Sequence, residues 1–245
     1  MKLIGINDIK IKNFVEIDST STFLKRNSEE LSDLTVAFAS FQVSGHGRIN
    51  RQWMATKCES ILFSILIKNK KIIKNFAKLS LLTANVVFKL FSRYTKGVSI
   101  KWPNDVYING KKACGILLES TSNEEGISSL VLGVGININT SSFTDELKDI
   151  ATSLFLETGK KYDLESMKKE FLDLLIEGLN EILKDDDSYL DNIRKYNYLL
   201  NKEVYALING EKVVATVLDI NDDTSLLVTY QNKNYNLTVG EVVKK

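Results

Sequence analysis

Two arginines follow two glycines in the loop 42–53, a combination suited to binding an anion. Glycine lets backbone N–H groups turn inward on an anion, and the planar side chains of Arg48 and Arg51 can each donate paired hydrogen bonds to phosphate oxygens. Taken alone, these residues fit an ordinary mobile surface loop equally well. The glycine spacing excludes a Rossmann dinucleotide motif, and the P-loop pattern GxxxxGK[ST] does not occur.

A lysine, a carboxylate and an amide are brought together in the segment 101–120. Pro103 favours extended backbone before it, and Asn109-Gly110 is a strong signal for a tight hairpin. Lys112 follows this turn and lies across the predicted hairpin from Asp105 and Asn104. Most lysines are solvated, so Lys112 alone would be weak evidence. The three groups together predict a functional site at the hairpin.

The glycines of the segment 133–139 superficially resemble a nucleotide fingerprint. Apolar residues alternate with them, however, which predicts a strand in which the glycines mark a close approach to the backbone. Glycines that relieve a crowded sheet and glycines that contact a ligand explain this segment about equally well.

The residue counts disfavour several kinds of catalytic chemistry. His46 is the single histidine, so zinc hydrolysis and serine or cysteine triads, which usually need histidine, are disfavoured. Cys58 and Cys114 form no CxxC pair, as expected of a reduced intracellular protein. We expect no metal site built by this chain.

The bulk composition is that of an ordinary globular protein. The chain has 245 residues, 44% of them apolar and 26% charged, with a net charge of +1 that argues against coating of nucleic acid. We find no secretory signal at the start, and the longest apolar run, 61–67, is interrupted by Ser64 and is too short to span a membrane. We therefore expect a soluble cytoplasmic protein.

Periodicity predicts the strands and helices that would position these groups. Strands are predicted at 11–17, 35–41, 61–67, 106–108, 113–118 and 130–138. Helices are predicted from the capping segment 18–21 to about Leu31, over 77–94, and from Asp163 to the acidic run 185–187. After about Leu200 the pattern changes to short strands at 204–208, 213–220, 226–230 and 235–243, which predict a small antiparallel barrel or sandwich.

Five sequence elements occur in one order along the chain. They are Asp18-Ser19-Thr20, Gln42-x-x-Gly-x-Gly-Arg-x-x-Arg-x-Trp53, Lys-Trp-Pro-Asn-Asp105, Lys112-x-x-Gly-Ile-Leu-x-Glu119 and Gly133-x-Gly-x-Asn137. Together they resemble the biotin protein ligase family, from about residue 11 to the end of the chain. The resemblance implies an α+β fold: a class II synthetase-like catalytic domain (1–198) with a mixed or antiparallel sheet and packed helices, followed by a small SH3-like β-barrel (199–245).

The resemblance also implies an activity and partners. Family members use ATP, which arrives with Mg²⁺, to convert biotin to biotinyl-5′-AMP. They then transfer the biotinyl group to a lysine on the biotin carboxyl carrier domain of a biotin-dependent carboxylase. No membrane and no DNA partner are expected, since a strand begins at about residue 11 and leaves no room for a DNA-binding module. A homodimer is left open.

Site residues follow from the matched motifs. The resemblance implies catalytic roles for Lys112, Arg48 and Asp105, with Lys112 bridging the biotin carboxylate and the α-phosphate and Asp105 receiving the acceptor lysine. The biotin-binding set it implies is Ser19, Thr20, Ser21, Gln42, His46, Gly47, Arg48, Lys112, Gly115 and Leu117. The set for ATP or the adenylate is Arg48, Arg51, Trp53, Asn104, Lys112 and Asn137. Loop 44–53 would close over the adenylate as a lid.

Two departures from the family pattern stand out. The family usually has arginine at the position of His46, so a fixed positive charge is replaced by an imidazole. Cys58-Glu59-Ser60 occupies a place where glycines are common, which leaves the shape of the adjacent wall open.

Three other functions remain to be weighed. A lipoate–protein ligase shares a similar fold and also forms an acyl-adenylate, although the residues of the KWPND and GxGRxxRxW motifs favour biotin. A biotin-sensing regulator without catalysis is a second alternative. A non-catalytic interaction protein built on the small barrel is a third, and the joint presence of Lys112, Arg48 and Arg51 argues against it.

Overall fold

In the computed structural model, residues 2–48, 51–238 and 242–244 are described, without the side chains of 243 and 244. Twelve strands are assigned in this part of the chain: β1 Lys10–Phe14, β2 Thr35–Ala39, β3 Ser60–Ile67, β4 Val98–Lys101, β5 Asp105–Ile108, β6 Lys111–Asn123, β7 Gly126–Asn137, β8 Glu203–Ile208, β9 Glu211–Ile220, β10 Leu226–Tyr230, β11 Lys233–Leu237 and β12 Val243–Lys244. The helices are α1 Thr20–Arg26, α2 Lys70–Lys74, α3 Phe76–Ser92, α4 Leu154–Thr158, α5 Leu164–Lys184 and α6 Tyr189–Lys195, with a 3-10 turn at Ile6–Asp8.

Seven strands form the large sheet, in the order β1-β2-β3-β7-β6-β5-β4. The β1–β2 pair is parallel and the other neighbours are antiparallel. The sequence prediction of a mixed sheet with packed helices is therefore confirmed. The Asn109-Gly110 hairpin joins β5 to β6 as predicted, with both residues at positive φ.

One face of the large sheet is covered by α3 and α5. Apolar side chains at helical spacing bury one side of α5, whereas α3 is buried around most of its circumference between residues 79 and 91. Asp163 caps α5 by accepting a hydrogen bond from the Ser166 N–H at 2.9 Å. A β-carbon at Gly178 would lie 3.2 Å from a Val86 methyl group, so the glycine lets α5 approach α3 closely. Phe63 of β3 and Phe171 of α5 contact edge to face with ring centroids 5.1 Å apart.

The opposite face is covered only in part, by the short helix α1. Leu24 of α1 packs in a small buried cluster with Ala37, Leu66 and Val131 of three strands. Beyond this helix the sheet face is lined by glycines and small polar residues, and it becomes the floor of a cavity.

A second, antiparallel sheet follows at the C-terminus, in the order β11-β10-β9-β8-β12. This arrangement fits the predicted SH3-like domain. It contacts the first sheet through Trp102, whose buried indole Nε1 donates a hydrogen bond to the Thr224 carbonyl at 2.9 Å. The boundary between 198 and 199 stays a prediction.

Several element ends differ from the sequence predictions. The first strand ends at Phe14 and not at Ile17, and α1 ends at Arg26, because the Asn27 side chain turns back to donate to the Phe23 carbonyl. Helices α2, α4 and α6 were not predicted, since five to seven residues are too few to show a helical period. The strand predicted at 235–243 is observed as β11 and β12, with residues 239–241 outside the described part. Within the described ranges we find no helix with the length and apolar character to cross a membrane.

Candidate active site

The candidate site is a cavity of about 330 Å³ on the open face of the large sheet. Strand register puts Ser64, Gly133 and Leu117 in one row across β3, β7 and β6, and puts Gly135 and Gly115 in the neighbouring row. The absence of side chains at these glycines lets other groups reach the backbone of the floor.

All fifteen residues that the sequence predicted for the site line this one cavity. They are Ser19, Thr20, Ser21, Gln42, His46, Gly47, Arg48, Arg51, Trp53, Asn104, Asp105, Lys112, Gly115, Leu117 and Asn137. The structure thus brings the predicted residues together, while the role of each one stays a prediction.

Lys112 and Asp105 form the central ion pair of the cavity. Lys112 Nζ lies 2.7 Å from Asp105 Oδ1, with 34% of the lysine and 16% of the aspartate side chain exposed. Asp105 Oδ1 is buried and accepts no hydrogen bond of good geometry from the described residues. We therefore describe its contact with Lys112 as an ion pair and not as a hydrogen bond. The hairpin produces this pair: Lys112 lies opposite Tyr107 in the register, next to a bulge at Ala113 in β6.

Asn104 connects this hairpin to the arginine loop. Its Nδ2 donates to the Ile116 carbonyl at 2.6 Å, which fixes the amide against β6. Its Oδ1 accepts a hydrogen bond from Arg48 Nη1 at 3.2 Å. Arg48, which is a long and flexible side chain, is thereby directed along the cavity wall.

Asn137 and the segment after β7 hold the backbone around Lys112. Asn137 Nδ2 donates to the Thr152 carbonyl at 3.0 Å. The Lys112 N–H in turn donates to the Ile150 carbonyl, and the Thr152 N–H donates to the Lys112 carbonyl, each at 2.9 Å. In this structure the amide donor of Asn137 therefore supports the wall and is directed away from the cavity centre.

Neutral hydrogen-bonding groups form the other end of the cavity. The Thr20 N–H and the Thr20 hydroxyl both donate to Gln42 Oε1, at 2.7 and 3.0 Å. Ser64 Oγ lies 2.7 Å from Thr20 Oγ1 and 2.9 Å from Ser21 Oγ. These residues are held by the start of α1, where Ser19 caps the helix.

His46 links the arginine loop to the sheet through Glu119 of β6. His46 Nε2 lies 3.3 Å from Glu119 Oε2, and Lys25 of α1 contacts the other oxygen at 2.7 Å. One carboxylate thus joins a helix, a strand and the loop. This contact is an ion pair only when the imidazole is protonated.

Trp53 lies flat on the glycine floor. A β-carbon added at Gly135 would come within 2.6 Å of the indole Cζ2 and Nε1, and one at Gly115 would come within 2.8 Å of Cζ3. Lys112 Nζ is 5.8 Å from the indole centroid, and the buried Nε1 makes no hydrogen bond to the described residues. The tight fit explains why the strands carry glycine at these two positions.

Substitution Gly135→Ala should move the Trp53 indole off the floor. Keeping the ring in place would overpack the site at a cost of ~1–3 kcal/mol, and a loop residue can move instead. We expect the tryptophan emission to shift to longer wavelength, while the free energy of unfolding changes by less than about 1 kcal/mol.

The second tryptophan provides the control for this experiment. Trp102 is 3% exposed, so Gly135→Ala in a Trp53→Phe background should leave the emission unchanged. An unshifted spectrum in the single variant would show that the indole does not depend on the glycine.

Sequence reasoning missed several residues that line the cavity. Lys101 Nζ donates to Tyr107 Oη at 3.2 Å, and burial, with the Asp105 charge as a smaller cause, raises the pKa of Tyr107 to about 12. Tyr107 could have been found, because it lies two residues from Asp105 on the same strand face. Phe143, Leu147 and Ile150 follow the last motif in an irregular segment and gave no periodic signal.

The charges that line the cavity are mainly positive. Four basic side chains line it: Lys101, Lys112, Arg48 and Arg51. Among the described lining residues, the carboxylate is that of Asp105. Where the chain is described, no group of three potential metal ligands is found. The cavity therefore offers cations to an anionic ligand, and its donor set does not fit a protein-built metal site.

Comparison with known proteins places this chain in the family that the sequence motifs indicated, and the matched region is just over half of the chain. A model of the biotin/lipoate A/B protein ligase family matches residues 14–137. The bifunctional ligase/repressor BirA of Bacillus spizizenii is 36% identical over 167 residues, which are 63% of this chain and 51% of that protein. The biotin–[acetyl-CoA-carboxylase] ligase of Paracoccus denitrificans is 31% identical over 164 residues, 64% of this chain and 66% of the relative. The chain thus spans about half the length of the Bacillus relative.

A similar solved structure covers nearly the whole chain. The biotin protein ligase from Aquifex aeolicus in complex with biotin and ATP superposes with a TM-score of 0.85 at 27% identity. The superposition includes 96% of this chain and 98% of that one. The likeness therefore includes both sheets.

Proposed function

Since this chain belongs to the biotin/lipoate A/B protein ligase family, we propose that it activates biotin with ATP and transfers the biotinyl group to a carrier lysine. The observation that carries the proposal is one cavity with two chemically different ends. Hydroxyl and amide groups around Gln42 form the neutral end, and Lys112 with Arg48 and Arg51 forms the cationic end. Biotin has the same division, with a cyclic urea at one end and a carboxylate at the other.

The cationic end supplies what the first step requires. A biotin carboxylate oxygen attacks the α-phosphorus of ATP, the bond to pyrophosphate breaks, and biotinyl-5′-AMP forms. Both reactants are anions, so Lys112 would lie between them and lower their repulsion. One cation at about 4 Å contributes roughly 4 kcal/mol at an effective dielectric constant of about 20. Preorganised cations can therefore provide much of the rate enhancement without a covalent enzyme intermediate.

The second step transfers the acyl group. The amine of a carrier lysine attacks the acyl carbon, the bond to the phosphate oxygen breaks, and AMP leaves. The amine must lose a proton in this step, and Asp105, whose Oδ1 lies 2.7 Å from Lys112 Nζ, would accept it. The proposed acceptor is a biotin carboxyl carrier domain.

The remaining proposed roles follow from position. Arg48, oriented by Asn104, would bind the phosphate, with Arg51 on the nucleotide side. Gly115 and Leu117 would line the wall beside biotin, while Trp53 and Asn137 would lie near the nucleotide. Mg²⁺ would enter with ATP and help to offset the charge of the leaving pyrophosphate.

The neutral end favours biotin over lipoate. A cyclic urea has two N–H donors and one carbonyl acceptor, and the cavity end carries several oxygen and nitrogen partners for them. The dithiolane ring of lipoate has no such groups and would leave these polar atoms without partners, which is costly in a closed site.

The proposal is tested by ATP–pyrophosphate exchange. Labelled pyrophosphate should enter ATP when biotin is present, and lipoate should compete only weakly. Exchange supported by lipoate but not by biotin would overturn the assignment of the substrate. Exchange with neither acid would overturn the proposed activation step.

Loop 44–53 is proposed to act as a lid that protects the adenylate from water. A mixed anhydride hydrolyses readily, and Arg48 is a loop residue whose side chain donates to Asn104 beside the hairpin. Arg48→Gly should therefore release biotinyl-5′-AMP and give ~10-fold or more biotinylation of bystander proteins, since one charge-assisted contact is worth about 1.5–3 kcal/mol.

Avidin blotting of an added bystander such as serum albumin measures this leakage. Arg26→Gly, which removes an exposed arginine paired with Asp18, is the control for a general loss of charge. An Arg48→Gly enzyme that forms adenylate normally and stays specific for its carrier would contradict the lid.

A further inference from the structure

Ser64 is a buried hydroxyl on an otherwise largely apolar central strand. Strand β3 reads Ser-Ile-Leu-Phe-Ser-Ile-Leu-Ile, and Ser64 is 0% exposed in its middle. A hydroxyl buried at this depth is unfavourable unless it is hydrogen-bonded. Its partners are Thr20 and Ser21 of helix α1, both at the neutral end of the cavity. No sequence motif pointed to this residue.

The direction of each hydrogen bond in this cluster can be deduced from donor and acceptor chemistry. The Thr20 backbone N–H can only donate, so the Gln42 atom that faces it must be the carbonyl Oε1. The Thr20 hydroxyl also contacts Oε1 and uses its single proton there. Ser64 must then donate to Thr20 Oγ1, and Ser21 must donate to Ser64 Oγ.

The three hydroxyls therefore form a one-way chain that ends at Gln42. The hydroxyl protons of Ser21 and Thr20 are already donated within this cluster, and both oxygens retain lone pairs. These two hydroxyls can therefore act only as acceptors toward a ligand. The Oε1 of Gln42 already accepts two hydrogen bonds, which leaves its Nε2 amide as the donor. A β-carbon at Gly133 would come within 2.6 Å of Ser21 Oγ, so glycine at this position gives the chain its room.

We propose that Ser64 is a positioning residue for recognition of a cyclic urea. By accepting the Ser21 proton and donating its own to Thr20 Oγ1, it completes a set of two acceptors and one donor at the neutral end, which complement two N–H groups and one carbonyl. This inference rests on the proposed function. It assigns the preference for a cyclic urea in part to a buried residue of the cavity floor. Without Ser64, the Ser21 hydroxyl loses its acceptor and can rotate, and Thr20 Oγ1 loses the donor that holds it while its own proton stays on Gln42 Oε1.

Substitution Ser64→Ala tests the proposal, with Ser60→Ala as the matched control. Ser60 is buried on the same strand and face, bonds one hydroxyl (Thr140 at 3.2 Å), and does not line the cavity. In biotin-dependent pyrophosphate exchange we expect Ser64→Ala to raise KM for biotin about tenfold, the effect of one buried hydrogen bond. KM for ATP and kcat should stay within about twofold, and desthiobiotin, which keeps the urea ring, should show the same loss.

A mutant cycle separates positioning from a structural effect. Because Ser64 acts through Thr20 and Ser21, Ser64→Ala in a Thr20→Val, Ser21→Ala background should add little further loss. Equal KM values for biotin in Ser64→Ala and Ser60→Ala, with biotin activation by the wild type intact, would overturn the role of Ser64 alone. Absence of biotin activation by the wild type would instead overturn the proposed function. Parallel increases in KM for biotin and ATP would also contradict the inference.

Discussion

Replacing Lys112 by alanine should lower biotin-dependent pyrophosphate exchange by roughly 10³-fold, the largest effect expected on the activation step. The substitution removes the cation that would lie between two anions in a partly desolvated cavity. It also leaves the buried Oδ1 of Asp105 without its ion-pair partner, which disfavours a further anion nearby. The loss should appear mainly in kcat, because repulsion is greatest as the carboxylate and phosphate approach.

Lys111 offers a matched control for this substitution. It is the preceding residue on β6, it does not line the cavity, and its Nζ donates to the Lys148 carbonyl at the surface. Lys111→Ala should keep exchange within about threefold, the loss of one exposed hydrogen bond. If Lys111→Ala and Lys112→Ala lose the same activity, the ion pair is structural and the central role of Lys112 is wrong.

Asp105→Asn should separate the two half-reactions. Asparagine keeps the shape of the side chain and leaves Lys112 in place, so adenylate formation should change by less than about fivefold. Transfer to the carrier should fall by roughly 10²–10⁴, the usual contribution of a general base. Single-turnover transfer from preformed biotinyl-5′-AMP measures the second step, and pyrophosphate exchange measures the first.

The charge change itself needs a control. Asp145 is an exposed carboxylate paired with Lys148, so Asp145→Asn removes one negative charge away from the cavity and should leave both steps unaltered. Equal losses in adenylate formation and transfer in Asp105→Asn would contradict the separate role of Asp105.

The sequence was most informative where chemistry and local geometry coincide. The Asn109-Gly110 turn fixed the hairpin, and the hairpin placed Lys112 against Asp105 as predicted. Helices α3 and α5 were evident because a long apolar face has a clear period. The motif residues converge on one cavity because each follows or occupies an element of the same sheet.

Other features depend on packing between distant segments and leave no local pattern. In the sequence Ser64 only interrupts an apolar strand. Its hydrogen bonds to Thr20 and Ser21 become evident only when α1 is packed against that strand. The fit of Trp53 on Gly135 joins a loop to a strand about eighty residues later. The short helices α2, α4 and α6 are stabilised by tertiary contacts rather than by propensity.

The mass of a biotin carboxyl carrier domain, incubated with this protein, biotin and MgATP, tests the central claim most directly. We predict that the carrier gains the mass of one biotinyl group on a single lysine, and that Lys112→Ala abolishes the gain while Lys111→Ala does not. An unmodified carrier, in a mixture where the same protein modifies a lipoyl domain with lipoate, would contradict the account.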